Sequence, residues 1–327
     1  MSIAPIGVAD VMGCGMEKDK TYIGIDIGGT KTAVCAGDSS GRILKKIGFP
    51  TVRELPRALE NIFRETKKIV AEFGREAITA VGISCGGPLD SEKGIILSPP
   101  NLPEWVEVDI VRMLEEKFSL PAFIENDANA CALAEWYYGA GFDKDRGRGC
   151  MNMVFLTFGT GLGAGLILDG KLYRGSSGLA GEAGHIRMTN DGPLGYGKRG
   201  SLEGWCSGGG LSGAYFDLYG EKITGGEVCI RAEQGEEKAL KVIDQSALIL
   251  GRFLALLIDI INPDRIVIGS IFARSESLFR CRIEEIIREE ALPLCAGACS
   301  VLPAALGESL GDIAAVCVAV NGFASRR

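Results

Sequence analysis

Two glycine-rich segments have residue types that suit phosphate binding, and each follows an apolar run. The first is Asp26 to Thr32 (DIGGTKT), and the second is Thr157 to Gly165 (TFGTGLGAG). Glycine lets backbone N–H groups come close to phosphate oxygens, and the threonines add hydroxyl donors. A carboxylate at the position of Asp26 could hold a hydrated Mg²⁺. Taken alone, the first segment is also compatible with a tight hairpin that binds no ligand.

The second segment differs from the common nucleotide-binding loops. It lacks the Gly-Lys-Ser/Thr that ends a P-loop, and a predicted strand follows it where a dinucleotide-binding fold has a helix. Because strand, glycine turn and strand occur in both halves of the chain, we expect a weak internal duplication of one α/β unit. Two such turns facing each other predict a triphosphate held between two lobes.

An acidic segment, Glu125-Asn126-Asp127, stands where a predicted strand meets a predicted helix. Asn and Asp are favoured helix N-caps, which is a purely structural explanation. The functional explanation makes Asp127 the general base for a hydroxyl that accepts a phosphoryl group, since such a base must reach the hydroxyl proton. Asn126 would then hydrogen-bond to neighbouring hydroxyls. Local sequence leaves both explanations open.

A further polar cluster contains the only histidine of the chain, His185. It ends the segment Gly181-Glu182-Ala183-Gly184-His185, and Glu203 follows eighteen residues later. One histidine cannot form a multi-histidine metal site, and a lone histidine can also be structural. Acids and an imidazole among small residues suit a polyol, which needs many paired hydrogen bonds.

Apolar periodicity predicts the elements that would position these residues. The predicted strands are 22–26, 32–36, 42–49, 78–85, 122–125, 152–157, 164–168 and 265–269. The predicted helices are 55–73, 128–138, 233–261 and 310–323. Gly251 could break the third helix, and the glycine-rich segment 139–149 could mark a lobe boundary.

Length and composition describe a globular protein of about two domains, with 327 residues and a net charge of −7. No basic stripe is present, which argues against nucleic acid or a membrane surface as a partner. Eleven cysteines without paired spacing favour a reducing compartment. Residues 1–20 resemble a loose leader and not a signal peptide, and no window reaches the roughly 18 apolar residues of a membrane span. We therefore expect a cytoplasmic protein.

Together and in this order, the motifs resemble those of the ROK family (repressor, open reading frame, kinase). The matching segments are 26–32, 125–127, 157–165, 181–185, 262–269 (NPDRIVIG) and 310–314 (LGDIA). The resemblance runs from about Tyr22 to Phe323. It implies an α/β, two-lobe fold, actin-like and ribonuclease-H-like, with a central interlobe cleft that closes on ATP and a small-molecule sugar.

The same resemblance implies how the chain is divided and what it binds. We expect a leader at 1–20, a small lobe at 21–125 with a closing helix at 309–327 packed back on it, and a large lobe at 126–308. ATP and Mg²⁺ are the expected cofactors. A homo-oligomer, either a dimer or a tetramer, is the expected assembly.

The resemblance also assigns roles residue by residue, with Asp127 as the catalytic base. The sugar contacts are Gly86, Gly87, Asn101, Asn126, Glu182, His185 and Glu203. The phosphates, the nucleoside and the Mg²⁺ (held by Asp26 through water) are assigned to Asp26, Gly28, Gly29, Thr30, Lys31, Thr32, Thr160, Gly161, Gly269 and Ser270. Ser270 stands where the family usually has a second glycine.

One departure concerns a zinc site that many family members build from the signature histidine and three cysteines in C-x-C-G-x-x-G-C-L-E. Here Leu194, Tyr196 and Ser201 stand at the cysteine positions. Without thiolates no tetrahedral zinc site can form there, so we predict no structural zinc. His185 is then left to the sugar alone, and we expect packing, in which Tyr196 could take part, to hold the loop.

The implied function is ATP-dependent phosphorylation of a hexose or N-acetylhexosamine, with the C6 hydroxyl as the first acceptor to consider and glucose as the default. Fructose, allose, N-acetylglucosamine and N-acetylmannosamine stay open as substrates. One alternative is a sugar-responsive transcriptional regulator, although the roughly 20 residues before the first predicted strand are too few for a helix-turn-helix domain. The other alternative is a sugar-binding protein without catalysis.

Overall fold

The computed structural model describes residues 20–145 and 147–326. The expected leader, residues 1–20, lies outside the described part of the chain except for Lys20. The described residues form two compact units. The first comprises the residues up to Gly149, Arg174–Leu179 and those from Glu308 onward, and the second comprises Cys150–Tyr173 and Ala180–Gly307.

The first unit is built on a five-stranded sheet with the strand order β3-β2-β1-β4-β7. Its elements are β1 (Thr21–Ile27), β2 (Lys31–Asp38), β3 (Ile43–Pro50), α1 (Leu55–Phe73), β4 (Ile78–Cys85), β5 (Leu89–Asp90), β6 (Ile95–Ile96), α2 (Ile110–Phe118), β7 (Ala122–Asn126), α3 (Asp127–Tyr138), β8 (Phe142–Asp143) and β9 (Arg148–Gly149). β1, β4 and β7 run parallel, while β2 pairs antiparallel with β1 and β3. The strands predicted in this region are confirmed, with bounds shifted by at most two residues.

Both faces of this sheet are covered by helices, because alternate residues of each strand point to opposite sides. On one face Ile23 packs with Ile62 of α1 in a fully apolar cluster. On the other face lies the closing helix, Leu310–Ser325. A Cβ on Gly82 would stand 2.4 Å from the backbone nitrogen of Ala319, so only glycine lets this helix approach the sheet so closely.

Helix α3 belongs to the first unit, although the division expected from the sequence placed residues 126–138 in the second lobe. α3 packs along the closing helix, and the Tyr137 hydroxyl donates to Asn321 Oδ1 at 3.2 Å. The first unit therefore continues to Gly149, the end of the glycine-rich segment that was the other candidate boundary. A helix partner so distant in sequence leaves no local signal.

The second unit repeats the arrangement of the first. Its elements are β10 (Met153–Leu156), β11 (Ala164–Leu168), β12 (Lys171–Tyr173), β13 (Leu194–Gly195), β14 (Lys198–Arg199), α4 (Leu202–Trp205), α5 (Gly208–Tyr219), α6 (Gly225–Glu233), α7 (Glu237–Ile261), β15 (Arg265–Ile268), α8 (Ile271–Arg274), α9 (Glu276–Glu290), α10 (Pro293–Ala298) and β16 (Ser300–Pro303). The strand order β12-β11-β10-β15-β16 has the same sequence of antiparallel and parallel pairs as the first sheet. The predicted duplication is confirmed.

The long helix predicted over 233–261 is α7, which begins at Glu237, while Glu233 is the last residue of α6. The chain turns between α6 and α7, where Gly235 has a φ of 86° that glycine adopts without strain. Gly251, which could have broken the helix, lies within the continuous 25-residue α7. A Cβ there would stand 2.8 Å from Ile286 Cβ of α9, so this glycine serves helix packing. Neither α7 nor any other described helix is long and apolar enough to cross a membrane.

Candidate active site

The carboxyl edge of three parallel strands brings together most of the predicted residues of the first unit. Ile27 of β1 pairs with Cys85 of β4, and Cys85 pairs with Asn126 of β7. The residues that follow this row are therefore neighbours. A Cβ on Gly86 would lie 3.8 Å from Asp127 Oδ2, one on Gly87 would lie 3.1 Å from Asn126 Nδ2, and one on Gly29 would lie 2.8 Å from Asn101 Cβ. This edge is where open α/β sheets bind ligands.

The first glycine turn, Gly28-Gly29-Thr30, joins β1 to β2 and is held from inside. Gly28 N–H donates to Lys31 O at 3.0 Å. The Thr51 hydroxyl donates to Gly28 O at 2.7 Å and lies 2.8 Å from the Thr32 hydroxyl. Thr32 is buried, whereas Gly29, Thr30 and Lys31 are exposed. Thr32 therefore supports the turn, and the exposed residues are the ones a phosphate can reach.

Thr51 was not singled out in the sequence. It lies just after β3, and its backbone N–H also donates to Thr30 O at 3.0 Å. No local sequence pattern predicts that Thr51 supports the turn, because its contact with Thr32 spans 19 residues and depends on the pairing of β2 with β3.

Asp26 lies at the end of β1 among other charged groups. The pKa of its carboxyl is raised to about 6, chiefly by burial and then by the charges of Asp312 and Asp127, while Lys46 and a hydrogen bond with Ser84 oppose the rise. A nearby cation would favour the ionised form of Asp26.

A cavity of about 220 Å³ opens at Asp26 and joins it to the start of the closing helix. Its lining residues are Asp26, Lys31, Ala33, Lys46, Glu308, Gly311 and Asp312. Carboxylates facing a space of this size suit a cation that keeps its water shell, which is the usual state of Mg²⁺ in proteins. The residues present therefore fit the predicted water-mediated magnesium site.

The acidic segment lies at the start of helix α3. Its side chains show which residue caps the helix and which one is left exposed. Asn126 is the N-cap: its Oδ1 accepts from Ala128 N at 2.9 Å and from Asn129 N at 3.4 Å. Asp127 is the first residue of the helix, its side chain is exposed, and its Oδ1 accepts from Ala128 N at 2.8 Å. The capping role thus falls to Asn126, and Asp127 presents a carboxylate at the carboxyl edge of the sheet.

Glu125, the first residue of this segment, is buried and hydrogen-bonded. It is 3% exposed, and its Oε2 accepts from Arg174 Nη2 at 2.7 Å and from Arg174 Nε at 2.8 Å. Its Oε1 accepts from Asn129 Nδ2 at 3.0 Å. Arg174 was missed in the sequence, because it follows β12 and reaches Glu125 across 49 residues. This buried carboxylate therefore joins the end of β7 to Asn129 of α3 and to Arg174.

The second glycine turn, between β10 and β11, is closed by its own threonine. Thr157 Oγ1 accepts from Gly163 N at 2.8 Å, and Gly159 O accepts from Gly208 N at 2.7 Å. Thr160 at its tip is exposed. A Cβ on Gly159 would lie 3.4 Å from Ser270 Oγ, so the structure brings the turn beside the Gly269-Ser270 corner.

Ser270 itself has φ 55° and ψ −116°, a conformation that glycine adopts more easily. A serine at a position of the family's glycine therefore keeps a glycine-like backbone. Gly269 N–H donates to Leu156 O at 2.9 Å and fixes the corner to β10.

The predicted sugar residues of the second unit form one cluster. Glu203 joins it to the glycine turn, since its Oε2 accepts from Leu162 N at 3.1 Å and a Cβ on Gly161 would lie 2.6 Å from the same oxygen. Its Oε1 accepts from Tyr196 N at 3.0 Å. Glu182 accepts from the Tyr196 hydroxyl at 2.5 Å, and the rings of His185 and Tyr196 meet edge to face at 5.1 Å.

Leu194, Tyr196 and Ser201, which stand at the family's cysteine positions, make contacts of other kinds or face solvent. Ser201 Oγ donates to Gly195 O at 2.7 Å and accepts from Gly204 N at 3.1 Å, which caps α4. Leu194 is 64% exposed. Within residues 20–145 and 147–326, no group of three or more His, Cys, Asp or Glu side chains is arranged to hold a metal ion. The loop is held by hydrogen bonds and by the ring of Tyr196.

Residues 22–321 match the model of the ROK family. The chain belongs to the ROK family. This ROK chain is 32% identical over 313 residues to a glucokinase of Thermotoga maritima, covering 90% of this chain and 96% of that protein.

Two solved structures extend the likeness to the fold. The ROK hexokinase of Thermus thermophilus is 30% identical, with a TM-score of 0.80, over 93% of this chain and 99% of that one. The ROK glucokinase of Streptomyces griseus, in complex with glucose and AMPPNP, is 31% identical, with a TM-score of 0.74, over 92% of this chain and 100% of that one. The expected two-lobe, actin-like α/β fold is confirmed.

Proposed function

We propose that this ROK protein is a sugar kinase that transfers the terminal phosphoryl group of ATP to a hydroxyl of a hexose or N-acetylhexosamine. Glucose is the first substrate to test and the C6 hydroxyl the first acceptor. The kinases named above support the proposal, as does the presence of AMPPNP, an ATP analogue, in the S. griseus complex.

The proposal rests mainly on one observation at the start of α3, where Asn126 and Asp127 have different roles. Asn126 caps the helix, so the exposed carboxylate of Asp127 is not needed for that purpose. Asp127 is our proposed general base, which accepts the proton of the sugar hydroxyl as the phosphoryl group transfers in line. Glu125 and Arg174 hold it at the sheet edge, which favours a fixed angle of approach.

The phosphates are assigned to the two glycine turns. In the first unit the exposed residues Gly29, Thr30 and Lys31 would meet them, with Gly28 and Thr32 holding the turn. In the second unit Thr160 and Gly161 would do so, with Gly269 and Ser270 on the nucleoside side. Mg²⁺, bound through water at Asp26, would neutralise phosphate charge.

The sugar is assigned to polar residues of both units. Gly86 and Gly87 leave space beside Asp127 and Asn126, and Asn101 stands beside the first glycine turn. Glu182, His185 and Glu203 would pair with further hydroxyls. These groups combine acceptors and donors, which suits a polyol better than an apolar or a purely anionic ligand.

The test is release of ADP from Mg-ATP over a panel of hexoses and N-acetylhexosamines, with Asp127→Asn in parallel. Loss of the base is expected to lower kcat by about 10²- to 10⁴-fold. Asp217→Asn, which removes an exposed carboxylate from α5, is the matched control and should keep full activity. Sugar binding without turnover by the wild-type protein would reject the kinase and favour a sugar-responsive regulator or a non-catalytic binding protein.

A further inference from the structure

Three predicted sugar contacts of the second unit all touch one residue that no sugar role had been given, Tyr196. Its hydroxyl donates to Glu182 Oε2, its backbone N–H donates to Glu203 Oε1, and its ring packs against the ring of His185. Glu182 and His185 are exposed, and Tyr196 is 45% exposed. Hydrogen bonds between exposed groups add little to folding stability, because water offers the same partners. The contacts instead restrict where these side chains point.

The backbone of Tyr196 is unusual for so large a residue. Gly195 of β13 pairs with Lys198 of β14, so Tyr196 and Gly197 form a two-residue hairpin loop. Their φ angles of 52° and 74° are both positive, as a type I′ turn requires. Asn-Gly is the favoured pair for such a turn, and a bulky residue in the left-handed region is strained. A tyrosine here works against turn stability, which points to a use for its side chain.

The same hairpin makes a second contact with the imidazole of His185. Lys198 Nζ lies 3.4 Å from His185 Nδ1. A lysine ammonium can only donate, so a hydrogen bond between these two groups requires the tautomer in which Nδ1 accepts and the ring proton is on Nε2. Nε2–H is then the atom that can donate to a ligand.

We infer that Tyr196 is a positioning residue for sugar binding: it holds Glu182, Glu203 and His185 in the arrangement that meets the hydroxyls. The inference rests on the proposed function, since it deepens the role of that sugar site. Tyr196 acts on the sugar through these three residues, so its loss should weaken sugar binding and leave the phosphoryl transfer step intact. In kinetic terms KM for the sugar changes, while kcat and KM for ATP do not.

Two substitutions separate this role from a structural one. Tyr196→Phe keeps the ring on His185 and removes the hydroxyl that binds Glu182. Tyr196→Asn removes the ring as well, but places the preferred residue in the turn. Tyr173→Phe is the control, because Tyr173 is also an exposed tyrosine of the second unit.

The measurement is kcat and both KM values for the full chain, together with the midpoint of thermal unfolding. We expect Tyr196→Phe to raise the KM for the sugar about tenfold, in line with loss of one hydrogen bond to a charged group. Tyr196→Asn should raise it at least as much while its unfolding midpoint stays equal to or above that of the wild type. Tyr173→Phe should match the wild type throughout.

An unchanged sugar KM in Tyr196→Phe would overturn the inference. So would a fall in the unfolding midpoint of Tyr196→Asn that accompanies its kinetic defect, since tyrosine would then be needed for the fold. If the wild-type protein binds a sugar without turning it over, the proposed kinase fails, and the same comparison made on the Kd for the sugar still decides the role of Tyr196. If the wild-type protein binds no sugar, both are overturned.

Discussion

Lys46 and Asp312 form an ion pair although 266 residues separate them in the sequence. Asp312 is 5% exposed. The two residues act on the pKa of Asp26 in opposite directions: after burial, the Asp312 charge is the largest cause that raises it to about 6, and Lys46 lowers it. The ion pair thus helps to set the charge of the proposed magnesium ligand.

Removal of the lysine charge should make Asp26 harder to ionise. We expect Lys46→Gln to raise the pKa of Asp26, because a nearby positive charge favours the carboxylate. Below neutral pH more of the enzyme would then carry a protonated Asp26. The acid limb of kcat/KM for ATP should move to higher pH, with about a threefold loss of activity at pH 6.

The matched control is Lys45→Gln on the same strand. Lys45 pairs with the exposed Glu72 at 3.4 Å, so its removal should leave the profile in place. Profiles from pH 5 to 9 in the presence of Mg-ATP provide the comparison. Coincident acid limbs for Lys46→Gln and the wild type would contradict the assigned electrostatics.

Asp26 should also link stability to pH when no metal is present. Its pKa rises from 3.8 to about 6 on folding, so the folded state binds this proton more tightly than the unfolded state. The stability contributed by protonation is complete below about pH 4 and is lost as the pH rises through 6. Asp26→Asn removes the ionisation and should stabilise the metal-free protein by about 3 kcal/mol at pH 8, and by about half as much at pH 5.

Urea unfolding with EDTA at these two pH values measures the difference. The same variant should lose most kinase activity, since it no longer offers a carboxylate to the proposed Mg²⁺. Equal stabilisation at both pH values would show that the effect of the substitution is not the removal of a charge.

Two helix glycines should respond to alanine with opposite signs. In α7 a Cβ on Gly251 would meet Ile286 Cβ at 2.8 Å, whereas nothing lies within 4 Å of a Cβ on Gly213 in α5. Gly251→Ala must push α7 and α9 apart and should cost about 1–3 kcal/mol of unfolding free energy. Gly213→Ala should instead add about 0.5–1 kcal/mol, because alanine loses less backbone entropy. Urea unfolding of the two variants tests the pair, and a stabilised Gly251→Ala would contradict the packing described for α7.

Arg174 should be needed for Glu125, the buried acid next to the proposed catalytic residue. Arg174→Met leaves the Glu125 carboxylate, which is 3% exposed, without its cation. Because the arginine side chain is 38% exposed, we expect a loss of about 2 kcal/mol, below the cost of breaking a fully buried pair. kcat should fall as well, since Asn126 and Asp127 lose their support.

The control for this change is Lys93→Met, which breaks the exposed pair with Asp90 and should be neutral. In the double variant Glu125→Gln with Arg174→Met, part of the stability should return, because no unpaired charge stays buried. Additive losses in the double variant would argue against an ion-pair role.

Much of the fold could be predicted because its strongest signals are local. β1, β2 and β4 are apolar runs bounded by glycine turns, and α1 shows regular apolar spacing. The position of Asp127 at a strand-to-helix junction was also visible. Local chemistry could not decide between a cap and a base, because both need the same residue types at that junction.

The rest depends on contacts between distant parts of the chain. Thr51, Arg174 and the Lys46–Asp312 pair act on predicted residues, yet each comes from an element that periodicity cannot place beside them. Tyr196 had a partial local signal, since Tyr-Gly between two short strands fits a hairpin. The three contacts that its side chain and backbone make had no local signal, because they depend on where the 183–185 turn and α4 lie in the fold.

The order of synthesis makes the closing helix the last part of the first unit to appear. On the ribosome, β1 and β4 emerge early, but the face that carries Tyr22, Cys35 and Ala80 is covered by Val316 and Ala319. That apolar face stays exposed while the whole second unit is made. The second unit can collapse first. The nascent chain then passes through a state in which the strands made earliest are still exposed, open to chaperone binding and to incorrect pairing.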